Sequence, residues 1–357
     1  MENMNTPCLG KEDILKKCAN MYQIAGITPI SYAEGRASGL KAFEVETGGA
    51  LSYTVLQDKC LDIFKMSYKG VNISYISKAG LSNPMYYSPL TSEFPKNFQG
   101  GMLFTCGLSN VGSPCCVDGI DYPLHGSINA MPACNVSASS KWVYDQYIME
   151  ISGDIYESKL FGENLKLHRT ITSGFGGKSV KICDTLENYG FEEQPYMILY
   201  HCNYGYPFLS KDTELILPND HSLPRDEEAA KGMKNHTTFS EPIDGYKEQV
   251  FYHDLATDSN GYTTVLIKNE KLGFGSYIKY KTDTLDCLIQ WKSMKSGDYA
   301  LGIEPANCKV GGRAAELATS AGLKKIKPME KIDFELIIGC VDYGNEMDEL
   351  EKKIRNL

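Results

Sequence analysis

Leu285-Asp286-Cys287-Leu288-Ile289-Gln290-Trp291-Lys292 alternates two faces, with Leu285, Cys287, Ile289 and Trp291 on one and Gln290 and Lys292 on the other. A repeat of two is the signature of a β-strand, in which successive side chains leave opposite sides of the backbone. The same alternation recurs in Phe43/Val45, Leu51/Tyr53/Val55, Met149/Ile151, Val180/Ile182, Val265/Ile267 and Phe334/Leu336/Ile338/Cys340. Turn signals separate these runs at Lys69-Gly70, Asp118-Gly119, Gly176-Gly177, Asn260-Gly261 and Pro328. Thirty-three glycines and twenty-three tyrosines suit many strands joined by tight turns. No stretch alternates strands with long amphipathic helices, which argues against a parallel doubly wound sheet. The expected class is all-β, a large antiparallel domain of two sheets packed face to face.

Helical spacing is confined to the ends. Asp13 could cap a helix over Ile14–Tyr22 that stops before Gly26 and Pro29, and Met347, Leu350 and Ile354 fall at helical steps near the C-terminus. The organisation read from the sequence is a helical segment over residues 1–30 packed on a single β-domain over residues 31–357. Residues 80–135 and 210–248 are irregular and rich in Gly, Pro or charge, as loops over a pocket would be.

Composition narrows the function. At 357 residues with 42% hydrophobic content, the chain can bury a large core. A formal net charge of −9 opposes a nucleic-acid or anionic-membrane surface. The N-terminus lacks the basic and apolar regions of a signal peptide, and no apolar run approaches the ~20 residues that span a bilayer. The expected location is cytoplasmic. Twelve cysteines without a CxxC pair read as free thiols, largely buried, in a reducing compartment.

Two segments can carry chemistry. Tyr200-His201-Cys202-Asn203-Tyr204-Gly205-Tyr206-Pro207 follows the apolar run Met197-Ile198-Leu199, and Gly302-Ile303-Glu304-Pro305-Ala306-Asn307 follows Asp298-Tyr299-Ala300-Leu301. Each sets one titratable group among residues that can desolvate it, beside an asparagine, Asn203 or Asn307, able to bond a hydroxylated ligand. An imidazole and a carboxyl group so placed suit general acid–base chemistry near neutral pH. The bland alternatives are a structural histidine, and a Glu304 salt bridge to Lys292 or Arg313. His125, in Leu124-His125-Gly126, reads as a ligand-binding or a turn residue. Gln290 and Lys292 reach a ligand if their face lines a pocket, and are solvated otherwise. Arg225 could clamp hydroxyls or pair with Asp226. No histidine has a close ligand spacing, so the sequence assigns no metal site.

Taken in order, Phe98–Leu108, Leu124-His125-Gly126, Leu199–Gly205, Gln290-Trp291-Lys292 and Ile303–Asn307 resemble the aldose 1-epimerase (galactose mutarotase-like) superfamily, and most closely its mutarotase-related branch. The resemblance implies a β-supersandwich and a cofactor-independent isomerase of carbohydrate metabolism that interconverts anomers. It implies His201 as the acid that protonates the ring oxygen, Glu304 as the base on the anomeric hydroxyl, and His125 as a sugar-binding histidine. Family members carry an arginine after the glycine-rich strand; here Ser109-Asn110 stands instead, with Asn110 as the stand-in and Arg225 or Lys292 as the source of positive charge. The ligand expected is a monosaccharide or sugar derivative, with neither nucleic acid nor membrane as partner and a homodimer as the candidate assembly. The alternatives are a non-catalytic carbohydrate-binding protein and a metal-dependent sugar isomerase built on His125, His201, His253 and Glu304.

Overall fold

The alternation read in the sequence is the alternation of burial in space. Along Asn164–Gly174 every second residue is buried, and Gln146–Ser158 follows the same rule. These strands belong to an eight-stranded sheet, taken here from a computed structural model that describes residues 10–218 and 221–357. Its strand order is Thr213–Ile216, Tyr262–Asn269, Phe274–Lys281, Lys331–Asp342, Ser179–Asn188, Asn164–Gly174, Gln146–Ser158 and Cys134–Val143, every neighbour antiparallel. A six-stranded sheet of His221–Pro224, Gln249–Asp254, Cys287–Lys295, Asp298–Ala306, Met197–Gly205 and Phe104–Leu108 lies across it. Tyr200, Cys202, Leu301 and Ile303 of that sheet share one apolar core with Leu167, Ile171, Ile182, Leu336 and Ile338 of the larger one.

A third sheet extends the two-layer expectation. Residues Gly26–Ser31, Lys41–Glu46, Leu51–Leu56, Asp62–Tyr68 and Val71–Asn72 form a five-stranded antiparallel sheet whose inner side chains join the same core. Tyr53 is bonded to Ser173, and Tyr68 donates to Asp342, both across to the eight-stranded sheet.

Polar anchoring is concentrated at one residue. The Arg169 side chain is wholly buried in the eight-stranded sheet. Its Nε and Nη2 grip Asp184 at 2.9 and 2.6 Å, and its Nη1 reaches Asp62 at 2.8 Å on the five-stranded sheet. Thr105 of the six-stranded sheet accepts from Nη2 and donates to Asp62, while Tyr200 of the same sheet donates to Asp184 at 2.8 Å. One guanidinium thus ties the three large sheets together.

The helices are short. The N-terminal reading is corrected: the helix spans only Lys11–Leu15 behind Gly10, because Asn20 accepts the Tyr22 N–H and opens a separate 3-10 turn at Met21–Gln23. Gly26–Ser31 is already an edge strand, where Pro29 lacks no needed N–H. The C-terminal helix Asn345–Arg355 buries Met347 and Ile354 and has acidic residues in its first turn and basic ones in its last, matching the helix dipole. No helix among the described residues is long and apolar enough to cross a membrane.

Removing one member of a buried ion pair strands its partners in a low dielectric. Arg169→Met is therefore expected to cost about 3–5 kcal/mol in urea unfolding. A loss below about 1 kcal/mol would show that the anchor is dispensable.

Candidate active site

Strand register assembles the site on the outer face of the six-stranded sheet. Cys202 pairs with Ile303 and Leu199 with Ala306, so His201 and Glu304 lie side by side on neighbouring strands. Phe104 stands opposite His201, and Ile289 opposite Glu304. The row therefore runs Phe104, His201, Glu304, Ile289, with Asn203, Gly302 and Trp291 forming the next row. Above it opens a cleft of about 630 Å³.

The two titratable groups touch. His201 Nε2 is 3.2 Å from Glu304 Oε1, and their side chains are 8% and 2% exposed. Burial pushes the His201 pKa well below the ordinary histidine value, helped by His125 and opposed by Asn203. Burial pushes the Glu304 carboxyl well above its ordinary value, Glu248 adding to the rise and Arg225 opposing it. Aromatic rings enforce the desolvation: Phe98 and Trp291 centre 5.5 and 5.6 Å from the His201 ring. Gly302 leaves the necessary space, since a Cβ there would stand 2.5 Å from Glu304 Oε1 and 3.0 Å from His201 Cε1.

His125 enters from the loop side, at a positive φ of 60°. Its N–H donates to Gly112 O, and its Nδ1 accepts from the Gly112 N–H at 3.3 Å, so Nε2 carries the ring hydrogen when the ring is neutral. The ring lies 5.5 Å from Phe94 and 6.0 Å from His201, and burial pushes its pKa down to about 4. Arg225 lines the opposite wall, bonded to Asp226 and reaching Glu248 at 3.4 Å. Glu248 in turn accepts from the Trp291 indole at 2.8 Å. Tyr75, Ser77, and the pair Lys78–Asp298 at 2.8 Å complete the rim.

A family model described as "Domain of unknown function (DUF4432)" matches residues 37–340. The chain belongs to the DUF4432 family. Its fold recurs in a protein from Klebsiella pneumoniae subsp. pneumoniae MGH 78578 described as a "putative aldose 1-epimerase". The TM-score there is 0.87 at 22% identity, over 94% of this chain and 90% of that one. A galactose mutarotase-like protein from Clostridium acetobutylicum gives 0.63 at 15% identity, over 90% and 99% of the two chains. The galactose 1-epimerase from Lactobacillus acidophilus NCFM gives 0.54 at 13% identity, over 90% and 100%. At such identities the likeness establishes the galactose mutarotase-like sandwich fold. No curated protein matches the chain.

In this DUF4432 protein, His201, Glu304, His125 and Arg225 all line one cleft. The alternative reading of Glu304, a salt bridge to Lys292 or Arg313, is not formed, for Lys292 Nζ donates to the carbonyls of Asn235 and Thr238, and Arg313 to that of Ser109. Five residues expected to meet a ligand lie outside the lining of this cleft. Gln290 and Lys292 lie on the inner face, level with Ile303 and Leu301, while their apolar neighbours Ile289 and Trp291 face the cleft. Gln290 bonds His253 and the His236 carbonyl there. Asn110 clamps the carbonyls of Ser113 and Pro123 and accepts the Arg313 N–H, which shapes the loop bearing His125. Asn307 accepts the Ile198 N–H and so extends the strand ladder by a side chain. Asn203 donates to the carbonyls of Gly101 and His201. His253 also faces away from His125, His201 and Glu304, and no group of three metal-ligating side chains occurs among the described residues. Residues that the sequence reading missed are Trp291, Phe98, Phe94 and Glu248; spaced aromatics around the two segments were the available signal.

Two outcomes follow from this geometry. Gly302→Ala is expected to keep the fold by circular dichroism while displacing Glu304, lowering any activity of the cleft at least about tenfold; undiminished activity would disprove the tight packing of the pair. The folded pKa of His125 lies below the unfolded value near 6.5, so the unfolded chain binds the extra proton. Stability contributed by its neutral form should then be full above about pH 6.5 and fade as the pH falls toward about 4. Urea midpoints measured across that window should flatten in His125→Asn.

Proposed function

We propose that this protein is an aldose 1-epimerase-like isomerase that interconverts the anomers of a free sugar or sugar derivative. The observation that carries the reading is the contact between His201 and Glu304 at the floor of an aromatic cleft. O1 and O5 of a pyranose are both bonded to C1, so two groups that touch each other can address both oxygens at once. One gives a proton to O5 as the C1–O5 bond breaks, and the other takes the proton from O1 as the aldehyde forms. Rotation about C1–C2 and the reverse transfers close the ring as the other anomer. The pair carries one proton before and after, so nothing else is consumed.

The surroundings suit a sugar. Trp291, Phe98 and Tyr75 offer flat apolar faces to C–H surfaces, and His125 Nε2–H and Arg225 offer donors to hydroxyls. Charges at the rim are matched, Lys78 with Asp298 and Arg225 with Asp226 and Glu248, which favours a neutral ligand.

His201→Ala and Glu304→Ala are each expected to slow anomer exchange by at least about 10²-fold with the fold kept. Saturation-transfer NMR over a panel of aldoses reads the rate, and a variant exchanging every sugar as fast as the parent refutes the assignment. The pH profile discriminates further. The active pair holds one proton; acid fails it only where His201 takes a second, and alkali only where Glu304 loses its own. With His201 lowered and Glu304 raised, both limits move outward, so the rate should show no break near pH 6.5, where an ordinary histidine titrates.

A further inference from the structure

We infer that two adjoining loops at one end of the eight-stranded sheet form a self-complementary docking surface for a second copy of this chain, the copies related by a two-fold axis. The surface shares no residue with the lining of the cleft and does not depend on the chemistry proposed there.

Its apolar centre consists of side chains that a single copy leaves in water. The hairpin between Gln146–Ser158 and Asn164–Gly174 carries Leu160 and Phe161, 81% and 99% exposed. The connection after Ser179–Asn188 carries Phe191, 88% exposed. The two connections leave the sheet side by side. Leu165 pairs with Asn188, the Tyr189 N–H donates to Asn164 O at 2.8 Å, and Lys166 Nζ donates to the Tyr189 hydroxyl at 2.7 Å. Single exposed apolar residues are ordinary on a protein surface, whereas a group of large ones on neighbouring loops marks an interaction site.

The hairpin also holds its aromatic residue in an unfavourable backbone conformation. Phe161 has a φ of 58°, in the left-handed region that glycine or asparagine occupies with far less strain. The turn is closed around it by the Lys159 N–H on Glu163 O and the Gly162 N–H on Lys159 O. No contact within the chain repays that strain, because the Phe161 side chain lies wholly in solvent. Such an outlier points to a contact made outside the chain.

The surface suits a copy of itself in geometry, charge and area. A shallow pocket of about 60 Å³ adjoins the hairpin, walled in part by Ile120, Tyr122, Leu165 and Pro195 and edged by Lys159 and Glu163. Those two charged residues flank Leu160 and Phe161 in the chain, so ring and pocket are neighbours. A two-fold axis between them seats the ring of each copy in the pocket of the other. Lys159 is a cation, Glu163 and Glu192 are anions, and none of the three forms an ion pair among the described residues, whereas nearby Lys166 and Lys325 are paired with Glu187 and Glu193. The same axis brings the lysine of each copy to the carboxylates of the other. A bilayer surface would instead call for a rim of cations. Aromatic side chains bury about 150–250 Å² each, so the three apolar residues offer roughly 500 Å² per copy, well over half of the ~800 Å² that each partner gives to a standard interface.

Association of the full chain in solution tests the inference. Sedimentation equilibrium from about 1 to 100 μM should show monomer in exchange with dimer, and a parent that stays monomeric throughout overturns it. Phe161→Ser and Phe191→Ser, at exposed positions, should keep the fold by circular dichroism and each raise the dimer dissociation constant at least about tenfold. A dimer unweakened in both variants has its interface elsewhere, which also overturns the assignment. Lys159→Glu and Glu192→Lys should each self-associate more weakly than the parent, yet pair with one another in a mixture. Mixed pairing no stronger than self-pairing would refute the two-fold arrangement. Flotation with phosphatidylcholine vesicles should leave the protein behind; flotation that disappears in Phe161→Ser would assign the surface to a membrane instead.

Discussion

The bidentate grip of Arg169 on Asp184, shared with Asp62, is the constraint from which the geometry of the site follows. Tyr200 and Thr105 are opposite each other on neighbouring strands, and both are drawn down to this cluster. Alternation then leaves no choice for the next residue. With Tyr200 pointing into the core, His201 must point out of it, and the register with Asp298–Ala306 sets Glu304 beside it. A slip by one residue would send Tyr200 into the cleft and His201 into hydrocarbon. Burying a charge cluster is costly, and its return here is positional: one guanidinium fixes the relative placement of three sheets.

The pair is buried yet reaches the cleft, and that combination sets its chemistry. Rings of Phe98 and Trp291 remove water from His201 without supplying it a counter-charge. Burial beside one another favours the uncharged form of both groups. In the proposed anomer exchange, such a pair moves a proton without either member having to be charged beforehand.

Much of the fold was legible in the sequence because a period of two survives wherever one sheet face is wet, as in Gln146–Ser158. It was harder to read where both faces are covered. Met197–Gly205 is buried at every position, so burial there cannot tell the core side from the cleft side. The segment Cys287–Lys295 inverted the usual expectation: its polar Gln290 and Lys292 turn inward to carbonyls and His253, and its apolar Ile289 and Trp291 floor the cleft. Polarity was read as a wish for ligand or water, whereas a carbonyl-rich interior loop satisfies it equally well. Asn110 and Asn307 misled for a related reason, since an amide side chain imitates a peptide group and can complete a ladder or a turn. The meeting of His201, Glu304 and His125 in one cleft was legible because each stands between apolar or glycine neighbours, where an ionisable group has few structural uses.

The buried His201–Glu304 pair and the walls around it belong to different parts of the chain. His201 and Glu304 sit within strands, whereas Tyr75 to Phe98, Gly112 to His125 and Arg225 to Glu248 come mostly from irregular connections. Rebuilding such a connection alters what fits above the floor and leaves the floor itself untouched. Descendants of this architecture could therefore change which molecule the cleft admits by insertion and deletion alone, with the strands that carry His201 and Glu304 left as they are.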